Sequence, residues 1–230
     1  MKQLIWMYKL WRPRRNASIF SNFLSFRSNK EQRNICLPEY LSGSDCETAA
    51  VIHGSFQLYE NFVSEVEEMK LIAEVDPFLK RRRYEIDHWD GAITTYKETE
   101  KMDWNVQNSE VLQRVRDIAF TPQCSQIKHV HVLDIAKHGY IKPHVDSIKF
   151  CGDTIAGLSL LSSSIMRLAK ENNKEKFVDV LLSRRSLYIM KGTSRYDFTH
   201  EILEDAKSYF KNKHVPRDRR VSIICRNEPS

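Results

Sequence analysis

His144-Val145-Asp146 is the stretch of this chain best equipped for chemistry. On an extended segment, residues two apart project from the same face. An imidazole beside a carboxylate supplies two ligands of a 2-His-1-carboxylate site, which leaves three adjacent positions of an octahedral Fe(II) open. Alone, a His-x-Asp pair is more commonly a surface hydrogen-bond pair. Here a third ligand candidate follows at His200, although Phe198 and Ile202 on its own face make a core histidine the competing reading. Arg220 and Arg226 come next, six positions apart and so on one strand face. A rival pair, His129 and His131, has the His-x-His spacing of cupin metal strands but no obvious partner carboxylate, and so reads as structural. His138 and His214, beside turn-like sequence, read as surface residues.

The ordered set His-x-Asp, then His, then Arg-x5-Arg resembles the AlkB-like Fe(II)/2-oxoglutarate dioxygenases. The strings His144-Val-Asp-Ser-Ile-Lys-Phe-Cys-Gly152, Ile155-Ala-Gly-Leu-Ser-Leu-Leu161 and Ser194-Arg-Tyr-Asp-Phe198 resemble a mitochondrial branch of that family. The resemblance runs from about residue 60 to residue 226. It implies Fe(II) held by His144, Asp146 and His200, 2-oxoglutarate as cosubstrate and O2 as oxidant. A substrate C–H is then oxidised while 2-oxoglutarate leaves as succinate and CO2, and no catalytic base or nucleophile is required. It also implies that Arg220 holds the distal carboxylate of 2-oxoglutarate, that Tyr188 donates a hydrogen bond to it, and that Arg226 lies near Asp146. Arginine suits a carboxylate because its planar fork binds in bidentate fashion and keeps its charge. From the residues alone, two arginines about 20 Å apart along a strand cannot share one spot. They would read as a solvated pair, and Tyr188 as a buried, satisfied phenol. The resemblance further implies a role in alkylation-induced programmed necrosis and in fatty-acid metabolism, which nothing in these residues shows.

Positioning those side chains falls to a mixed set of elements. Residues 31–56, with Pro38, Gly43 and Gly54, are expected to form a poorly ordered lead-in with short elements. A helix is expected over residues 64–75, where Val66, Met69, Ile72 and Ala73 make an apolar stripe. Pro77 should end it, and the cations at 80–83 suit a solvated turn at its C-terminus. Residues 91–96 read as a strand, 111–120 as an amphipathic helix and 128–136 as a strand. Short β-rich runs follow at 140–146, 154–161, 165–168, 177–182, 186–190, 198–202 and 220–225. Helices followed by many short strands predict an α+β chain with a mainly β core. The expected architecture is a double-stranded β-helix, jelly-roll or cupin-like, with helices packed on one sheet and a catalytic domain over residues 57–230.

Composition narrows the function classes. Hydrophobic residues at 41% and aromatics at 10% suit a packed core rather than disorder. No apolar run approaches the ~20 residues of a membrane span. Five scattered cysteines, with no CxxC spacing, indicate neither a zinc site nor a disulfide framework. Residues 1–30 carry seven basic residues and no acid; without them 29 basic residues face 30 acidic ones, a net of −1. A near-neutral body disfavours a general grip on phosphate backbones, which needs many cations. Tyr84, His88, Trp89 and Tyr96 could stack bases, but aromatics in such a segment more often pack. The reading favoured is a hydroxylase of a protein or small-molecule substrate in the mitochondrial matrix. The alternatives are a demethylase of methylated RNA or DNA, and an interaction protein with a regulatory metal site.

The acid-free leader, rich in Arg, Ser, Phe and Leu, is the composition of a mitochondrial transit peptide, with cleavage expected between residues 26 and 36. A fluorescent protein carrying residues 1–35 should enter mitochondria, and Arg12→Glu, Arg14→Glu and Arg15→Glu together should leave it in the cytosol. Import that ignores those charges would give the segment another purpose.

Overall fold

Alternation of side chains along the strands splits this protein into an inner and an outer apolar layer. The computed structural model describes residues 37–87 and 91–229; the leader, Cys36, His88 and Trp89 lie outside the described residues. Strands β1 (Leu41–Gly43), β2 (Phe56–Tyr59), β3 (Glu85–Asp87) and β4 (Thr94–Lys101) are interleaved with helices α1 (Cys46–Ser55), α2 (Glu65–Lys80) and α3 (Val106–Ala119). Then come β5 (Val130–Ile135), β6 (Ile141–His144), β7 (Thr154–Leu160), β8 (Ser164–Lys170), β9 (Asn173–Leu182) and β10 (Ser186–Lys191). A short helix α4 (Thr193–Tyr196) precedes β11 (Phe198–Ile202), the ribbon β12 (Tyr209–Phe210) and β13 (Lys213–His214), and β14 (Arg220–Arg226).

A seven-stranded sheet in the order β2-β10-β7-β14-β5-β4-β3 faces a five-stranded sheet in the order β1-β9-β8-β11-β6, with antiparallel pairing throughout. This is the double-stranded β-helix. One core lies between the sheets and includes Leu133, Ile135, Ile155, Leu168, Val180, Met190 and Ile224. The other lies between the larger sheet and α2 and α3, where Leu71, Val75, Leu79, Val111 and Val115 meet Ala156, Leu158, Val221 and Ile223. Along β14 the alternation is complete: Val221, Ile223 and Cys225 join the helix layer, while Ile224 joins the core between the sheets.

Three expectations change. Residues 41–56 are built into the fold, with Ala49, Ile52 and Phe56 fully buried in the core between the sheets. Asp45 caps α1 by accepting from the Thr48 backbone N–H at 2.8 Å. Pro77 does not end α2, which continues to Lys80. Burying Leu79 contributes about 1.5–3 kcal/mol, comparable with the ~3 kcal/mol that an internal proline costs. The expected stripe is also the wrong face, since Val66 and Met69 are 52% and 61% exposed. Stopping the helix at Pro77 hides Leu79, and with it the stripe Leu71, Val75 and Leu79 that is actually buried.

Glu68 sits among that stripe, almost fully buried. It accepts from the Leu161 backbone N–H at 2.7 Å and from Arg184 Nε at 2.8 Å, tying α2 to the β7–β8 turn. Arg184 is half exposed, so water can solvate it alone, whereas the Leu161 N–H would be stranded. Glu68→Ala should therefore lower stability by about 1–3 kcal/mol, and Glu68→Gln, which keeps an acceptor, by less. Urea unfolding midpoints check the order; equal losses would mean that the Leu161 bond contributes nothing.

Candidate metal centre and cosubstrate pocket

His200 faces the space between the sheets because β11 alternates, with Phe198, His200 and Ile202 buried together. It pairs directly with His144 on β6, and the next pair is Ile202 with Ile141, so a register shift separates them. That bulge lets Ile141 and His144, three residues apart, both serve the inner side. β6 ends at His144, so Asp146 lies beyond the strand. The approach of His144 to Asp146 is thus made by the chain leaving the strand, not by the pleat expected from the sequence. The segment after Asp146 is clipped to the end of β14. Thr154 N–H donates to Asn227 Oδ1 at 2.9 Å, Asn227 Nδ2 donates to Asp153 Oδ1 at 2.9 Å, and a Cβ on Gly152 would lie 2.4 Å from Asn227 Nδ2.

The three side chains converge. His144 Nε2 lies 3.2 Å and His200 Nε2 3.5 Å from Asp146 Oδ1, with the imidazole centroids 4.2 Å apart. One ligand atom from each lies within 4.8 Å of the others, and no other such group occurs among the described residues. Cis ligands of a six-coordinate ion with bonds of about 2.1 Å stand about 3 Å apart, so this donor set fits a metal. His144 Nδ1 lies 2.9 Å from the Lys142 carbonyl oxygen. With a metal bound, donation there would fix the tautomer that presents the Nε2 lone pair. Burial, and then the neighbouring His144, push the His200 imidazole down to about 3. Burial alone would raise the Asp146 carboxyl, but the His144 hydrogen bond and the Arg226 charge hold it well below the carboxylate range. Arg226 Nη2 stands 3.5 Å from Asp146 Oδ2.

Deeper between the sheets lies Arg220, 2% exposed and far from the solvated pair that spacing alone suggests. Its Nε donates to Ser159 Oγ at 3.0 Å, its Nη2 is buried without a partner, and the Tyr188 hydroxyl is a hydrogen-bonding neighbour. Tyr188 joins the inner core while Leu187 and Ile189 join the helix layer. Its ring stacks on Phe56, with centroids 6.2 Å apart and 8° between planes. Burial pushes its phenol up against the pull of Arg220. A buried guanidinium with a donor to spare, beside a neutral phenol, can receive a carboxylate.

The rival histidines stay apart from this cluster: His129 is exposed and His131 Nε2 lies 3.0 Å from Glu98 Oε2. His138 and His214 are exposed, as expected. Tyr96 is buried with its hydroxyl donating to Glu85 at 3.0 Å, so its ring is not offered to a base; Tyr84 is exposed, donates to Asp134 at 3.2 Å and carries Lys97 Nζ 4.2 Å over its ring. Sequence reasoning missed Ser159 and Gly157. Small residues at alternate positions of an apolar strand were the available signal. It also missed Arg195, fully buried, whose Nη2 donates to Cys151 Sγ at 3.1 Å.

Fold and site together define a non-haem iron oxygenase. The chain matches the 2OG-Fe(II) oxygenase superfamily over residues 36–226 and belongs to it. It is a 2-oxoglutarate-dependent dioxygenase of the AlkB-like kind, using Fe(II), 2-oxoglutarate and O2. It is 50% identical over 190 residues to mouse "Alpha-ketoglutarate-dependent dioxygenase alkB homolog 7, mitochondrial", covering 83% of this chain and 86% of that protein. The cattle protein of the same name is 47% identical over 197 residues, covering 86% and 89%. Among solved structures, that of OsALKBH1 superposes with a TM-score of 0.56 at 15% identity, covering 75% of this chain and 97% of that one, a likeness of fold.

The depressed His200 has a consequence for the metal-free protein. The unfolded chain binds a proton at this residue near pH 6.5 and the folded chain only near pH 3. Stability from this group is therefore complete above about pH 6.5 and falls by about 1.4 kcal/mol per unit as pH drops toward 3. Urea midpoints of metal-free wild type should fall more steeply between pH 6.5 and 5 than those of His200→Gln. Parallel profiles would make His200 an ordinary solvated imidazole.

Proposed function

We propose that His144, Asp146 and His200 hold the Fe(II), that Arg220 and Tyr188 receive the distal carboxylate of 2-oxoglutarate, and that Arg226 braces Asp146. The observation that carries this reading is the meeting of two imidazole Nε2 atoms on one carboxylate oxygen, at 3.2 and 3.5 Å. The bound iron supplies oxygen activation coupled to decarboxylation of 2-oxoglutarate. The protein orients and excludes water. His144 is held in one tautomer by the Lys142 carbonyl, Asp146 is kept ionised by its neighbours, and Arg220 and Tyr188 set the reach of the cosubstrate. No residue of the chain has to act as base or nucleophile.

The substrate proposed is a protein or small molecule in the mitochondrion, in the matrix compartment. Mitochondrial placement is supported by the names of the mouse and cattle relatives and by the basic, acid-free leader. Against a nucleic-acid substrate stand the net charge of −1 outside the leader and the burial of Tyr96. The roles in programmed necrosis and fatty-acid metabolism rest on family resemblance alone. Mass spectrometry of mitochondrial proteins and RNA, with and without this protein, decides the class. One added oxygen on a peptide supports the proposal, and methyl loss from a base replaces it with demethylation.

For the assigned residues, the anaerobic protein with Fe(II) and 2-oxoglutarate should show the charge-transfer band of a chelated keto acid, absent in His144→Ala with His200→Ala. Truncating one partner of a buried charge pair costs about 2–5 kcal/mol, about 30-fold to several-thousand-fold in affinity. Calorimetry should show that loss for 2-oxoglutarate in Arg220→Gln with metal affinity unchanged, partial recovery in Arg220→Lys, and weakened metal binding in Arg226→Gln. Equal 2-oxoglutarate affinity in wild type and Arg220→Gln would remove Arg220 from the pocket.

A further inference from the structure

The side chain of Arg220 does not stand straight out from its strand. Its own residue pairs with Ile135. Its Nε, however, donates to Ser159, which lies opposite Ser222, two residues nearer the metal end of β14. Its phenolic neighbour Tyr188 belongs to the next inner row, in which Tyr188, Gly157 and Ile224 are cross-strand partners. The guanidinium is thus drawn along the sheet toward the metal centre, and two residues of β7 determine where it stops. Ser159, fully buried, supplies the oxygen that anchors Nε. Gly157, two residues away on the same face, supplies room: a Cβ there would lie 2.4 Å from Tyr188 Cζ and 2.5 Å from its hydroxyl oxygen. The phenol therefore lies down on β7, and its hydroxyl meets the guanidinium.

We propose that Gly157 and Ser159 form the socket that sets the length of the cosubstrate pocket, selecting a five-carbon 2-oxo diacid over its six-carbon homologue. The inference rests on the assignment of Arg220 and Tyr188 to the distal carboxylate. Both socket residues are positioning residues: Ser159 acts through Arg220, and Gly157 acts through Tyr188. Without the Ser159 oxygen, the guanidinium is free to swing back toward its own Cα, which lengthens the space between metal and cation. A longer diacid is then spared the loss that 2-oxoglutarate suffers. With a methyl on Gly157, the Tyr188 ring must leave β7, and the hydroxyl is lost to acids of either length.

The test is calorimetric binding of 2-oxoglutarate and 2-oxoadipate to Mn(II)-loaded protein, which reads affinity without turnover. A hydrogen bond involving a charged group contributes about 1.5–3 kcal/mol, so Ser159→Ala should bind 2-oxoglutarate about 10- to 150-fold more weakly. Its affinity for 2-oxoadipate should change less than about 3-fold, which collapses the preference. Ser159→Thr, which keeps the oxygen, should restore most of it, and Gly157→Ala should weaken both acids. Should Ser159→Ala not fold, Ser159→Cys replaces it, with the same fall in preference expected from the weaker sulfur acceptor. An unchanged ratio of the two affinities in Ser159→Ala or Ser159→Cys overturns the socket while leaving Arg220 in place. If Arg220→Gln also binds 2-oxoglutarate as tightly as wild type, the pocket assignment itself fails.

Discussion

A single buried carboxylate, Asp146, stands between two imidazoles and a guanidinium, and the electrostatics of the cavity follow from it. Burying an ion is costly unless charge and hydrogen bonds compensate. Here compensation comes from three separate parts of the chain: His144 ahead of it on β6, His200 on β11, and Arg226 on β14 of the opposite sheet. The two imidazoles come from adjacent strands of the five-stranded sheet, whereas the Arg226 contact forms only when the two sheets face one another. The same burial that makes Asp146 costly keeps His200 neutral, with its lone pair available to a metal.

β14 performs two tasks at once because its side chains alternate. Val221, Ile223 and Cys225 anchor the sheet to α2 and α3, while Arg220, Ser222, Ile224 and Arg226 line the space between the sheets. Charged residues on that inner face would be unfavourable in an ordinary sandwich. They persist because each meets a partner: Arg226 meets Asp146, and Arg220 meets Ser159 and Tyr188. Nearby Arg217, also buried, donates to the carbonyl oxygens of Leu203 and Gly139 and joins two loops at that end of the sheets. Burial and the charge of Arg220 lower it to about 10, which still leaves it a cation.

The helices outside the larger sheet touch none of the proposed ligands, yet they hold its shape. Capping at Ser64 is reciprocal with Glu67, and Asn105 accepts from Asn108 at the start of α3. Glu68 then connects α2 to the turn that follows β7, the strand carrying Gly157 and Ser159. The route from helix to the proposed cosubstrate pocket is short: α2 to the β7–β8 turn, β7 to Arg220 and Tyr188.

By itself the sequence determined the order of the metal-binding candidates, the two arginines on one face, and most strands after residue 128. These are local quantities, set by two-residue alternation and by turn residues that punctuate it. Only the tertiary structure decided which of two stripes on α2 is buried, because periodicity reports that a face is apolar and not which surface awaits it. It also decided that residues 41–56 belong to the fold, since Phe56 acquires meaning only when Tyr188 stacks on it. Asp146 reaches His144 from beyond the strand end, a turn that spacing cannot encode. Ser159 and Gly157 stayed hidden for a related reason. A hydroxyl and an empty space are informative only beside the guanidinium and phenol that occupy them, and those arrive from strands some 30 to 60 residues away.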